Sequence, residues 1–409
     1  MNYPLEQRIE WRKLVVPNNS RKQPIHRWYV FPHSFSRELV HSLIDEWKLD
    51  TTDRILDPFV GAGTSLLAAK EKGVSATGYD LSPLAVFAAK VKVTNYNIAR
   101  LERLWLVLQS LLRKTRCTTP RRKFPDLVQK ALPGKLLPAF HAIDRMISNL
   151  DASGEEQDFF RLALFSLIPE YSHAIPTGGW LSWVQRQQVD VARLFDTYNL
   201  QVSAMVNDLR YARRSTESVW SVHKGDARSL PDPNSYYSAA ITSPPYPNRH
   251  DYSRVFGVEL MFGFLDWEQT RELRYQSFHS HPEARPTRPV ADNYTHPRKL
   301  MLALEQIREK EPKSRIADML DGYFLDVFHV LHEICRVCKH KAKVAIVVGN
   351  VQYGGLPIPV DELTAEIGEM SGLTCEKLLV VRMRGNSAQQ MAKYGKRPSR
   401  ESIVLFTVS

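Results

Sequence analysis

The sequence has few cysteines and no long apolar run, and each absence excludes a class of protein. Four cysteines among 409 residues are too few for a disulfide framework and fit the reducing cytoplasm. No apolar stretch approaches the roughly 20 residues that a transmembrane helix needs. The first residues, MNYPLEQR, lack the apolar core of a secretory signal peptide. We therefore expect a soluble cytoplasmic protein that does not bind a membrane.

The cysteines give little support for a metal site, and the charge balance is basic. Cys335 and Cys338 end a predicted helix, but no second cysteine or histidine pair follows at zinc spacing, so we predict buried thiols and no metal. Charged residues make up 24% and hydrophobic residues 43%, as in ordinary globular proteins. The net charge of +11 favours polyanionic partners such as nucleic acid, although charge alone does not identify one.

The first informative stretch is ILDPFVGAGT at residues 55–64. It forms the end of a predicted strand at Asp57, a turn, and the start of a predicted helix. Gly61 and Gly63 allow positive φ and a close approach of the backbone to a ligand. A nicotinamide dinucleotide site is the obvious alternative, but Leu66 stands where that fingerprint has its third glycine.

The second informative stretch is TSPPY at residues 242–246, which closes another predicted strand. Proline has a fixed φ and no backbone N–H, so the strand ends in an extended corner with its carbonyls available as acceptors. Such a corner suits a flat base with an exocyclic amino group. The Ser243 hydroxyl and the Pro244 carbonyl can accept hydrogen bonds from the amino group, while the Tyr246 ring stacks on the face of the base. The alternative is an ordinary proline turn with Tyr246 covering a core.

Together, DPFVGAGT and TSPPY resemble the motifs of the amino-methyltransferases that use S-adenosylmethionine on DNA bases. The serine in the second motif is most similar to the cytosine-N4 branch, since the adenine-N6 branch more often has Asp or Asn there. The resemblance implies an α/β, Rossmann-like class I methyltransferase fold: a mostly parallel seven-stranded sheet with helices on both faces. It implies S-adenosylmethionine as the cofactor, double-stranded DNA with a flipped target base as a partner, and a restriction-modification setting with a cognate restriction endonuclease.

The resemblance also assigns candidate site residues. The catalytic candidates are Ser243, Pro244, Pro245 and Tyr246. The cofactor candidates are Asp57, Pro58, Phe59, Gly61, Gly63, Thr64, Asp80, Asp226, Phe31 and Pro32, with Phe35 beside the last two.

Three of these assignments have simpler alternatives. Asp80 lies about 20 residues beyond the glycine-rich turn, where nucleotide-binding α/β proteins place the acid that binds the ribose hydroxyls. The alternative, a cap for the helix that follows Ser82 and Pro83, is compatible with that role. Asp226, which the resemblance assigns to the cofactor's adenine, could belong to a plain Gly-Asp turn. Phe31, Pro32 and Phe35 could be core packing.

The chain divides into three predicted parts. Residues 1–99 form an N-terminal arm and the cofactor half, 100–215 a helical insertion, and 216–409 the catalytic half. Within the last part, about 247–315 is a predicted polar loop insertion, irregular from 266 to 315. Either insertion is a candidate for target recognition.

Some shorter segments also receive predictions. The basic loop at 113–123 is the best single candidate for phosphate contacts, with an ordinary solvated loop as the alternative, and residues 393–400 are predicted to form another basic loop. Residues 350–359 are predicted to form a loop. Residues 373–383 and 402–408 are predicted to form an antiparallel pair.

Alternative functions stay open at this point. The target could be adenine N6, because the serine is a tendency of the family and not a rule of chemistry. RNA is an alternative substrate, and a catalytically silent nucleic-acid-binding protein is a further class. The absence of a Pro-Cys nucleophile argues against methylation at carbon 5.

Overall fold

The computed structural model describes residues 3–17, 20–115, 117–186, 190–211, 218–285, 289–290, 293–385, 395 and 398–409. The strands within these ranges are β1 (Leu5–Gln7), β2 (Arg54–Asp57), β3 (Ser75–Asp80), β4 (Ala174–Thr177), β5 (Trp180–Trp183), β6 (Trp220–Lys224), β7 (Tyr237–Thr242), β8 (Cys338–Gly349), β9 (Val351–Tyr353), β10 (Leu356–Ile358), β11 (Leu373–Arg384) and β12 (Ser399–Val408). The helices are α1 (Arg37–Trp47), α2 (Thr64–Lys72), α3 (Pro83–Val93), α4 (Ile98–Lys114), α5 (Asp126–Ala131), α6 (Leu136–Ser148), α7 (Gly154–Phe165), α8 (Ile168–Tyr171), α9 (Val191–Asp208), α10 (Tyr252–Val255), α11 (Gly257–Gly263), α12 (Trp267–Gln276), α13 (Arg298–Lys310), α14 (Ile316–Val337) and α15 (Val360–Met370).

One sheet of eight strands organises the chain, in the order β1-β11-β12-β8-β7-β2-β3-β6. Neighbours run parallel except around β12, which is antiparallel to both β11 and β8. This confirms the predicted Rossmann-like α/β fold and the predicted antiparallel pair at residues 373–383 and 402–408. The eighth strand is β1, from a segment predicted as a polar arm. It pairs with the edge of β11 through the backbone, so it needs no apolar period in its sequence.

Helices cover both faces of the sheet, because its central strands are apolar on both sides. In β2, Ile55 packs in the core with α1, α2 and α3, and Leu56 packs in the opposite core with α14 and α15. Successive residues of a strand point to opposite faces, so a continuous apolar run requires a cover on each side.

Two segments predicted to be irregular contain regular structure. Between 266 and 315, α12 begins with a capping box in which Asp266 and Gln269 exchange hydrogen bonds. Further along, α13 buries Leu300, Leu304 and Ile307 on one face. The prediction of an irregular run was wrong at both helices because their many polar residues mask short helical signals. The predicted loop at 350–359 contains the hairpin of β9 and β10.

Three of the predicted features can be examined only within the residues that the structure describes. Of the basic loop predicted at 393–400, only residue 395 and residues 398–400 are described. In the described ranges, no helix is long and apolar enough to cross a membrane. Nor, in the same ranges, do three or more His, Cys, Asp or Glu side chains gather where they could hold a metal ion.

Candidate active site

A large cavity lies at the carboxyl ends of β2, β3, β6 and β7, and we call it the main cavity. Its volume is about 1360 Å³, which includes the part that is open to solvent. The turn after β2, the acid at the end of β3 and the corner after β7 all line it. The carboxyl ends of neighbouring parallel strands meet at one edge of the sheet, which brings the two distant motifs together.

Asp57 connects the two motifs through its carboxylate. Oδ1 accepts hydrogen bonds from Thr242 Oγ1 at 2.6 Å and from the Phe59 N–H at 3.1 Å, and Oδ2 accepts one from the Ser65 hydroxyl. Burial raises the pKa of Asp57 to about 6. The carboxylate is therefore engaged within the protein. This geometry gives Asp57 a positioning role between turn and corner, which the sequence reasoning did not foresee.

Asp80 presents a carboxylate that still has acceptor capacity. Oδ2 accepts a hydrogen bond from the Gly61 N–H at 3.1 Å and Oδ1 one from the Ser82 N–H at 2.8 Å. A carboxylate has about four acceptor sites, so it can also accept from the two neighbouring hydroxyls of a ribose. Gly61 has a φ of +49°, which helps to direct its N–H toward Asp80. Burial raises the pKa of Asp80 to about 6.

Two predicted cofactor residues do not line the main cavity. Gly63 immediately precedes α2 and has a φ of +82°, and a methyl group built on it would lie 2.8 Å from Cα of Ala89 in α3. Its lack of a side chain therefore serves the packing of α2 on α3. Pro32 lines a smaller neighbouring cleft. The other predicted residues of these segments do line the main cavity: Pro58, Phe59, Gly61, Thr64, Phe31 and Phe35.

The N-terminal segment forms an apolar wall of the main cavity. The Phe31 ring stacks on Phe256 with centroids 4.4 Å apart. Lys92 holds this segment to the glycine-rich turn by donating hydrogen bonds to the carbonyls of His26 at 3.2 Å, Tyr29 at 2.5 Å and Ala62 at 2.9 Å. Burial lowers the pKa of Lys92 to about 7. Sequence reasoning missed Lys92, whose one signal is a lysine within the apolar helix α3.

Asp226 lines the main cavity but is already paired with Arg228. Arg228 Nε and Nη2 each donate to the Asp226 carboxylate at 2.9 Å, and Nη1 donates to Asp326 Oδ1 at 2.9 Å. Asp326 also accepts the His279 N–H at 3.0 Å. A quarter of the Asp226 side chain is exposed, so a cavity ligand can still contact it. The network ties the cavity to the segment after α12.

The corner after β7 places Ser243 and Tyr246 at the boundary of two spaces. Ser243 Oγ donates to the Val347 carbonyl at 3.3 Å, which leaves its oxygen lone pairs as acceptors. The Tyr246 ring packs over Gly349, and its hydroxyl donates to Glu401 Oε1 at 3.3 Å. Burial raises the pKa of Tyr246 well above 10, so the phenol stays neutral. Pro244 and Pro245 line the main cavity with them.

The second space, which we call the side cleft, contains about 410 Å³ and shares five lining residues with the main cavity: His33, Ser34, Phe35, Ser243 and Tyr246. Its remaining lining is Val15, Val16, Pro17, Pro32, Val347, Arg382, Arg384 and Glu401. Sequence reasoning missed the last three residues, which belong to no motif. The arrangement provides an acceptor hydroxyl and an aromatic ring on the wall between two cavities. It can therefore hold a planar amino-bearing ring in one space against a ligand in the other.

Comparison with known proteins gives a consistent picture. No protein-family model matches the chain. The type II methyltransferase M.BsoBI of Geobacillus stearothermophilus is 30% identical, with 97% of this chain and 88% of that protein aligned. The type II methyltransferase M.AvaI of Nostoc sp. is 26% identical over 97% of this chain and 89% of that protein. The type II methyltransferase M.MjaII of Methanocaldococcus jannaschii is 29% identical over 25% of this chain and 18% of that protein.

Proposed function

Because this chain belongs to the type II methyltransferases, S-adenosylmethionine-dependent enzymes that methylate DNA, we propose that its target is the exocyclic N4 amino group of cytosine. The observation that carries the proposal is the Ser243–Tyr246 corner, which lies on the wall between the main cavity and the side cleft. The serine at its first position favours cytosine over adenine through the family resemblance.

The residues of the main cavity fit the cofactor. We propose that Asp80 accepts hydrogen bonds from the ribose hydroxyls and that Asp226 contacts the adenine from its paired position. Phe31 and Phe256 would exclude water from the apolar part of the cavity. When bound, S-adenosylmethionine would supply a methyl group on a positively charged sulfonium, which leaves as a neutral thioether after the transfer.

The corner residues would make the target nitrogen reactive. An amino group conjugated to a ring is a poor nucleophile, because its lone pair is delocalised. Ser243 Oγ and the Pro244 carbonyl would accept hydrogen bonds from the two N–H groups of this amino group. These bonds would draw its nitrogen toward tetrahedral geometry, which frees the lone pair. Tyr246 would stack on the flipped base and fix its position at the wall. The methylated nitrogen would carry positive charge and would release one proton to solvent water, so the corner needs only acceptors.

We further propose that the segment at 100–215 contacts the DNA through the hairpin of β4 and β5. A methyl group built on Gly179 at its tip would lie 2.9 Å from the Arg249 carbonyl, so the hairpin touches the loop after the corner. Trp180 and Trp183 are 59% and 54% exposed, and the Arg254 guanidinium lies 4.7 Å from the Trp180 ring centroid. Exposed aromatic and cationic groups beside a base-flipping site suit contacts to unstacked bases and phosphates.

The test is nucleoside mass spectrometry on plasmid DNA from cells that express the protein, beside a Tyr246→Ala control. We expect N4-methylcytosine only with the intact corner. N6-methyladenine instead would overturn the target base and keep the reaction class. If neither methylated nucleoside is found, the proposal is contradicted, and the same measurement would then be made on RNA. A double variant, Trp180→Ala with Trp183→Ala, tests the hairpin contact. Weaker DNA binding with unchanged cofactor affinity would support the contact, and unchanged DNA affinity would reject it.

A further inference from the structure

A buried carboxylate in the side cleft, that of Glu401, is only partly satisfied by hydrogen bonds. The Glu401 side chain is 5% exposed, and Oε2 has no hydrogen-bond partner among the described residues. The cations nearest to it in these ranges are at ion-pair distance: Arg382 Nη1 lies 3.5 Å from Oε2 and Arg384 Nη1 lies 3.7 Å from Oε1. These distances exceed those of a charge-assisted hydrogen bond. A buried charge is costly unless it is paired and hydrogen-bonded, and Glu401 has the ion pairs but lacks a hydrogen bond at Oε2.

Arg384 lies next to the ring that we assign to base stacking. Its Nη1 is 3.8 Å from the point where a side chain on Gly349 would begin, and the Tyr246 ring covers the same point at 2.9 Å. Its side chain is 43% exposed and lines the side cleft. The guanidinium is therefore close to the Tyr246 ring and also accessible to a molecule that enters the cleft.

The register of the sheet fixes this arrangement. Glu401 pairs with Gly349 of β8 on one side and with Arg382 of β11 on the other. Arg382 and Arg384 are two residues apart on a strand and so share a face. Glu401 thus faces the hydroxyl of Tyr246 and the two guanidinium groups at one edge of the sheet.

The chemistry of the two candidate bases differs at the atoms that such a guanidinium would meet. In cytosine, the amino group is followed around the ring by N3 and O2, which are both acceptors. In adenine, the amino group is followed by the acceptor N1 and then by a C–H group. A guanidinium presents parallel N–H donors, so it can bind two adjacent acceptors of cytosine but only one of adenine.

We propose that Arg384 binds N3 and O2 of the flipped cytosine in the side cleft, and that Glu401 is a positioning residue that orients the guanidinium and the Tyr246 hydroxyl. This inference rests on the proposed function, because it requires an amino-bearing base against the corner. Arg384 is then the specificity-determining residue for cytosine.

The test uses the purified full chain and a duplex that contains its methylated site, mapped on plasmid DNA. One duplex carries cytosine at the target, and a second carries a 2-aminopyridine C-nucleoside, which keeps the amino group and ring nitrogen but lacks O2. Calorimetric binding of S-adenosylmethionine checks that each variant is folded, since Arg384 does not line the main cavity. The readout is the ratio of kcat/KM for cytosine to kcat/KM for the analogue.

We expect the wild type to prefer cytosine by roughly 10- to 100-fold, the loss typical of a hydrogen bond to a charged group. Arg384→Gln should reduce this ratio toward one, and Glu401→Gln should give an intermediate ratio. Arg210→Gln removes an exposed charge far from the corner in sequence and should keep the wild-type ratio. A wild-type ratio in folded Arg384→Gln would overturn the inference alone. Failure of the wild type to form N4-methylcytosine would overturn the proposed function first.

Discussion

Gly349 ends β8 beneath the Tyr246 ring, and the ring can lie there because Gly349 has no side chain. A methyl group built on Gly349 would lie 2.9 Å from Cε2 and 3.1 Å from Cδ2 of Tyr246. Carbon atoms in contact prefer about 3.5–4 Å, so Gly349→Ala should displace the ring by about 0.5–1 Å. Any base stacked on the ring would move with it.

The size of the effect follows from the geometry of the reaction. A misplacement of about 1 Å costs on the order of 100-fold in rate. We therefore expect the rate of methyl transfer in Gly349→Ala to fall by roughly 10- to 100-fold, or about 1.4–2.7 kcal/mol in the barrier. Affinity for S-adenosylmethionine should stay the same, because Gly349 does not line the main cavity.

Single-turnover methyl transfer and calorimetric cofactor binding would measure the two quantities separately. The matched control is Gly154→Ala, because a methyl group built on Gly154 meets nothing within 4 Å and its backbone is not left-handed. Equal methyl-transfer rates in the two variants would refute the reasoning that ring position governs the reaction. A large loss of cofactor affinity in Gly349→Ala would show that the damage extends beyond the ring.

Three further predictions concern the cofactor half. Gly63→Ala should lower the free energy of unfolding by roughly 2–5 kcal/mol, because the backbone is strained and the new methyl group clashes with Ala89. The control Gly134→Ala should cost about 1–2 kcal/mol, because Gly134 also has a positive φ but a methyl group there meets nothing within 4 Å. Equal losses in denaturant unfolding would reject the packing role of Gly63. Lys92→Met leaves three buried carbonyls without their donor, so calorimetry should show weaker cofactor binding, and wild-type affinity would contradict this. Because burial raises the pKa of Asp80 to about 6 and only the ionised form accepts two hydroxyl donors, cofactor affinity should fall as the pH drops through about 6, and Asp80→Asn should flatten that profile.

The strands and turns that carry both motifs could be predicted from the sequence. Apolar runs that stop at Gly or Pro mark the ends of β2 and β7, and parallel pairing brings such ends together. The same reasoning did not predict that Gly63 packs against α3. A glycine in a ligand-binding turn and a glycine under a crossing helix look alike in sequence, and only the position of Ala89 separates them.

The residues of the side cleft could not be predicted in this way. Glu401 and Arg384 lie more than 130 residues after Tyr246, and neither belongs to a motif. Their proximity depends on β12 running antiparallel between β8 and β11, which places the start of β12 beside the end of β8. The role of Lys92 likewise could not be predicted, because it depends on where the fold places the three carbonyls that accept its hydrogen bonds. Sequence patterns predict elements and their ends, whereas these contacts depend on the register between elements.

The pairing of β1 with β11 has a consequence for how the protein is made. Leu5 pairs with Leu378, and the side cleft is lined both by residues 15–17 and by Arg382, Arg384 and Glu401. The first part of this surface leaves the ribosome long before the second part exists. Contacts between such distant residues form slowly. The nascent chain can therefore complete the side cleft only after synthesis has passed Glu401.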